Sequence, residues 1–155
     1  MTIKKKPLII ALLIPLLVGG LSALFTGRMD TFKTLDKPPL SPPSWVFPVA
    51  WTLLYLLMGF ASYLVYTDSA PAYKKNNALL IYGIQLFFNF FWSIIFFSWE
   101  LYTVAFVWLM IMWVLIIITT VKFWKINKAA GYLMIPYLLW VTFAAYLNLG
   151  IVILN

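Results

Sequence analysis

Three sets of side chains in this sequence could do chemistry together, and all three lie inside long apolar runs. Gln85, Asn89 and Trp92 fall at i, i+4 and i+7, a single helical face, with Ser93 beside them. Trp51, Tyr55 and Ser62 share a second face, on which Gly59 leaves room for something close to the backbone. Tyr137, Trp140, Ala144 and Leu147 fall at i, i+3, i+7 and i+10, with Asn148 next to Leu147. Indoles, phenols and amides supply hydrogen bonds and π faces but no strong acid or base. Converging, they would make a mostly apolar pocket with a few orienting polar groups, the usual character of a small-molecule site. A flat, conjugated guest suits it best, since offset stacking adds about 0.5–1.5 kcal/mol per ring pair beyond burial. The same residue types also hold helices together in lipid and form belts at the membrane surface. Packing is the expected role of Ser62, Ser93 and Gly59, and belt or lipid-facing positions are expected for Trp99, Trp108, Trp113 and Trp124. Gly19 with Ala23 is a small-xxx-small pair, a weak signal of packing or dimerisation.

Composition removes many alternatives. The chain has no cysteine and no histidine, which excludes disulfides, thiolate or imidazole metal sites, His or Cys haem ligation, and His or Cys catalysis. No Asp, Glu, Lys or Arg lies in the middle of an apolar run, which argues against a proton pump, a voltage sensor or an ion-coupled transporter. Tyrosine is then the one acid or base available in the pocket, so conventional enzyme activity is not expected and no metal or cofactor is required.

These faces need elements to carry them. Of the 155 residues, 65% are hydrophobic and 10% charged, a membrane composition with no separate soluble domain. The apolar runs predict an all-α integral membrane protein, a single domain over 1–155. Its five transmembrane helices are expected at about 7–25, 45–66, 78–99, 101–124 and 129–154. The first, preceded by Lys4, Lys5 and Lys6, reads as a retained helix rather than a cleaved signal. Residues 26–44 form the longest polar segment, and its prolines Pro38, Pro39, Pro42 and Pro43 predict a stiff, extended loop or lid ending at Ser44 as a helix N-cap. The later turns are short and predict antiparallel neighbours, and Pro136 removes a backbone donor within the fifth helix.

Lys4, Lys5, Lys6, Lys74, Lys75, Lys122, Lys125 and Lys128 fall on the N-terminal side of this scheme, against Arg28, Lys33 and Lys37 opposite. The N-terminus is therefore expected in the cytoplasm and the C-terminus and first loop outside, in a bacterial cell membrane. This placement accounts for the net charge of +7 without a nucleic-acid partner. There is no strict internal repeat to suggest an inverted-repeat transporter.

The run from Leu35 to Tyr55, LDKPPLSPPSWVFPVAWTLLY, closely resembles the signature of the tryptophan-rich sensory protein and translocator protein (TspO/MBR) family, also called peripheral benzodiazepine receptors. The resemblance continues through Leu57–Val65, Gln85–Trp92 with Phe96 and Phe97, Pro136–Trp140, Phe143, Ala144, Leu147 and Asn148, and so covers essentially the whole chain. It implies a five-helix bundle, often a homodimer, binding porphyrins such as protoporphyrin IX and synthetic benzodiazepine-type ligands in a pocket closed by the first loop. Carried over position by position, the pocket would comprise Trp51 and Trp140; Asn89 and Trp92; Ala144 and Leu147; and Pro42, Trp45 and Phe47 at the loop edge. Tyr55, Gln85 and Tyr137 join it from the helical faces, and Phe32 from the lid. Some members are associated with light- and oxygen-dependent porphyrin breakdown, in which Trp51 and Trp140 would take part, although the excited porphyrin supplies the chemistry. The expectation is a porphyrin receptor or sensor, with a transporter of porphyrin or another amphipathic solute as the alternative.

Two positions depart from the family pattern. Thr31-Phe32 replaces an aromatic pair, which removes lid contacts. Leu149 stands where a proposed cholesterol motif needs tyrosine and no basic residue follows, so cholesterol recognition is not predicted.

Overall fold

In hydrocarbon every backbone polar group must find its partner inside the protein, and an apolar run does so by coiling into a helix. The computed structural model describes residues 2–27 and 30–155, without the side chains of Asp30 and Thr31. Arg28, one of the basic residues assigned to the far side, and the Thr31 side chain therefore lie outside the described residues. The elements are α1 (Lys5–Thr26), α2 (Asp30–Thr34), α3 (Val46–Thr67), α4 (Ala72–Ser93) continued by a π-helical turn (Ile94–Ser98), α5 (Tyr102–Ile126) and α6 (Lys128–Leu154). Five are long and apolar enough to cross a membrane: α1, α3, α4 with its π turn, α5 and α6. The shortest have 22 residues, about 33 Å of helix against a hydrocarbon core of about 30 Å. This is an all-α integral membrane protein.

The spans close into a ring in the order α1, α3, α6, α5, α4. Tyr137, Phe123, Met58, Met112 and Gln85 are among the large side chains buried within it. As the short turns predict, α4 packs on α5 and α5 on α6, whereas α3 and α4 each pack more extensively on α1 than on the other. Two glycines allow that approach. A Cβ on Gly59 would stand 2.7 Å from the Ala11 carbonyl oxygen, and one on Gly19 would overlap the Tyr55 ring. The room foreseen beside Gly59 is thus filled by α1 itself, and Gly19 serves packing within the chain.

Helix limits differ from the sequence reading mainly at α4, which begins at Ala72 rather than near Ala78. Its first turns are polar, and hydropathy marks what lies in lipid rather than what is helical. Ser44 is not an N-cap. Trp45 precedes α3 without a side-chain cap, and the Pro43 carbonyl accepts from the Val46 N–H instead. The segment expected to be wholly extended contains the short helix α2. Trp108 and Trp113 are also reassigned: their indole N–H groups donate to the Phe88 carbonyl (2.7 Å) and to Thr142 Oγ1 (2.9 Å), tying α5 to α4 and to α6. Trp99 and Trp124 remain substantially exposed.

Candidate functional site

At the lid end of the ring a cavity of about 390 Å³ opens between α1, α3 and α4, within the range of small-molecule sites. Phe47, Trp51, Tyr55, Trp92 and Phe97 present rings to it, and Gly19, Gly20, Ser22 and Ala23 of α1 form a wall of small residues opposite. The rings continue as one cluster. Trp51 stacks on Tyr55 (centroids 5.6 Å apart) and meets Trp140 edge to face at 6.4 Å, and Phe47 meets Trp140 at 6.0 Å. Trp92 stacks on Phe96 at 5.3 Å. The π turn ending α4 places Phe96 and Phe97 in this cluster, a local widening of a kind often found at functional sites.

The lid closes on it from above. Phe32 of α2 is buried, edge to face with Phe47 (5.7 Å) and Phe97 (5.5 Å), and Lys37 Nζ lies 4.8 Å from its centroid. Further along, Pro38 is buried against Gly150, where a Cβ would overlap its ring. Tyr146 Oη donates to the Pro39 carbonyl at 2.7 Å, and Asn155 exchanges hydrogen bonds with the Asp36 backbone. These contacts hold the proline run onto α6.

Beneath the rings lies a buried polar chain. Tyr55 Oη donates to Asn89 Oδ1 (2.7 Å), Asn89 Nδ2 to Tyr137 Oη (2.9 Å), and Tyr137 Oη to Gln85 Oε1 (2.6 Å). Trp92 Nε1 donates to Asn148 Oδ1 (3.2 Å), whose amide donates to the Tyr102 carbonyl (2.9 Å). The polar residues of α3, α4 and α6 therefore satisfy one another, as buried groups must when lipid offers no partner. Beside this chain, Trp140 Nε1 and Gln85 Nε2 are buried with no hydrogen-bond partner among the described residues. Both lie behind the rings that border the cavity, and Trp140 also lines a shallow groove between α3 and α6.

The structure distributes the expected site residues among distinct places. Phe47, Trp51, Tyr55 and Trp92 border the cavity, while Phe32 and Trp140 pack on its rings. Gln85, Asn89 and Tyr137 form the floor network. Ala144 and Leu147 are buried on α6. Pro42 is half-buried at the loop edge, and Trp45 is 66% exposed. The sequence reading did not include Leu16, Gly20, Ser22 and Thr26 of α1, which complete the cavity, nor Phe97. The small-residue run at 19–23 was the available signal for α1, but small residues carry no functional group to single them out.

The model of the TspO/MBR family matches residues 11–154 of the chain. The chain is 36% identical over 142 residues to the tryptophan-rich protein TspO of Chlorobaculum tepidum, covering 90% of each chain. It is 39% identical to the tryptophan-rich sensory protein of Cereibacter sphaeroides, over 81% of this chain and 77% of the other. With the translocator protein of Bos taurus it shares 33% identity, over 88% of this chain and 82% of the other.

Proposed function

Because this chain belongs to the TspO/MBR family, we propose that it is a membrane receptor or sensor for porphyrins such as protoporphyrin IX and for other flat hydrophobic molecules, held around Trp51 and Trp140. One observation carries this reading: an aromatic-walled cavity lies under a lid tipped by Phe32, with the unpartnered N–H of Trp140 in the same ring cluster. A tetrapyrrole face would replace the ring-to-ring contacts that now fill the cluster. If the guest parts the ring cluster, an acidic or carbonyl edge would accept from Trp140 Nε1 behind it, relieving the cost of a buried, unpaired donor. Under light and dioxygen, the bound porphyrin would supply the photochemistry, and Trp51 and Trp140 would be the side chains nearest to it. The receptor acts as a homodimer with its N-terminus in the cytoplasm of a bacterial cell, the orientation favoured by its lysine distribution.

The test is a titration of detergent-purified protein with protoporphyrin IX in the dark, following both tryptophan quenching and the porphyrin absorption band. The expected result is saturation near one porphyrin per chain, weakened several-fold by Trp51→Phe, Trp140→Phe and Asn89→Ala and unchanged by Trp99→Phe on the exposed surface. Equal binding by all of these variants would remove the porphyrin from this cavity.

A further inference from the structure

On the opposite side of the bilayer from the lid, α1, α3 and α4 leave a second concavity, a groove of about 530 Å³. Lys6 and Tyr66 stand at its mouth, Ile10 and Ile14 of α1 form one wall, and Tyr82 and Gly83 of α4 form the other. From Lys6 to Ile14 the groove follows eight residues of helix, about 12 Å. One leaflet of hydrocarbon is about 15 Å deep, half of a core of about 30 Å. The depression therefore runs from the membrane surface most of the way to the midplane, as one acyl chain does.

Its mouth is basic. Lys6 lines it, Lys4 and Lys5 precede it, and Lys75 Nζ is held there by the carbonyls of Tyr66 (3.2 Å) and Asp68 (2.8 Å). The Asp68 carboxylate is occupied elsewhere, accepting from the Ala70 N–H and from Asn127 Nδ2. Inside the groove, Tyr82 is buried beside Ser62, whose hydroxyl donates to the Gly59 carbonyl and faces the Tyr82 hydroxyl as an acceptor. A leaflet-deep apolar groove with Lys6 in its lining, and with Lys75 Nζ bonded to the backbone of the lining residue Tyr66, is matched by an anionic amphiphile.

We propose that this groove is a binding site for one anionic membrane phospholipid, with an acyl chain lying between α1 and α4 and the phosphate at Lys6 and Lys75. The site is separate from the aromatic cavity at the lid end and does not depend on what that cavity binds. Electrostatic attraction to lysines near the membrane surface favours an anionic head group over a zwitterionic one, and the groove supplies the position.

Gly83 makes the proposal testable, because a Cβ built there meets nothing within 4 Å. Gly83→Leu starts a side chain into the groove from a position whose Cβ is unobstructed, and Ile14→Trp enlarges the α1 wall. Delipidated protein would be incubated with dioleoyl phosphatidylglycerol or dioleoyl phosphatidylcholine and the retained lipid counted by native mass spectrometry. Wild type is expected to keep one phosphatidylglycerol per chain at several-fold higher occupancy than phosphatidylcholine. Both groove-filling variants should lose that adduct while keeping wild-type circular dichroism, and Lys6→Gln with Lys75→Gln should bring the two lipids to equal occupancy. The proposal is overturned if the folded groove-filling variants retain the adduct or if wild type does not distinguish the two head groups. It is also overturned if Gly83→Leu shifts the monomer–dimer balance without changing lipid retention, which would make the groove a contact between copies of the chain.

Discussion

Tyr137 occupies the junction of the buried polar chain, accepting from Asn89 and donating to Gln85. Tyr137→Phe would leave an amide N–H and an amide oxygen unpaired at the centre of the bundle. Unsatisfied buried groups cost about 1–3 kcal/mol, but chains unfolded in a membrane-like medium also find partners, which places the effect near the low end, about 1 kcal/mol. Thermal unfolding in detergent should show a fall in Tm of about 2–4 °C. The sequence placed Tyr55, Gln85, Asn89 and Tyr137 on inward faces correctly, because lipid leaves such groups nowhere else to point. It could not say that they would bond to each other, because helix periodicity fixes a direction within one helix and not the depth at which two helices meet. Trp108 and Trp113 show the same limit: an indole N–H is satisfied equally well by a carbonyl on a neighbouring helix and by interfacial water.

The element that packs over the cavity is the first loop with α2. Its grip on the bundle comes from Phe32 among the aromatic rings and from Pro38 seated on Gly150. Gly150→Val would push Pro38 away while leaving the walls of the cavity in place. Bound protoporphyrin IX should then dissociate several-fold faster in a stopped-flow displacement experiment, with little change in the unfolding temperature. An unchanged dissociation rate would mean that guests leave by another route. The proline cluster made this loop legible as a stiff segment, since each ring restricts its own φ and the residue before it. The short helix α2 within it was not legible, because a five-residue helix has no period long enough to detect and is held by what it packs against.

At the scale of the whole molecule, the lysine asymmetry predicts orientation. The chain contains no cysteine, so single cysteines report cleanly. In sealed cells, an impermeant maleimide should label Lys37→Cys from outside and Lys74→Cys after permeabilisation; the reverse pattern would invert the topology. The same asymmetry leaves a basic face around the lipid groove and an aromatic cavity at the other end. The ring order α1, α3, α6, α5, α4 connects the two, because α1 is placed where it contributes a wall to both.

Five apolar runs with polar ends determine a five-span helical protein by themselves, since no other structure satisfies the backbone of such runs in hydrocarbon. The aromatic and amide spacings likewise determine which face of α3, α4 and α6 turns inward. The tertiary structure alone decided that α1 lies between α3 and α4, that its small residues complete the cavity, and that Trp140 Nε1 is left without a partner. These are outcomes of packing: they depend on how closely two elements approach, and Gly19 and Gly59 between helices, with Gly150 under the loop residue Pro38, make that approach possible without revealing, in sequence, what will fill the space.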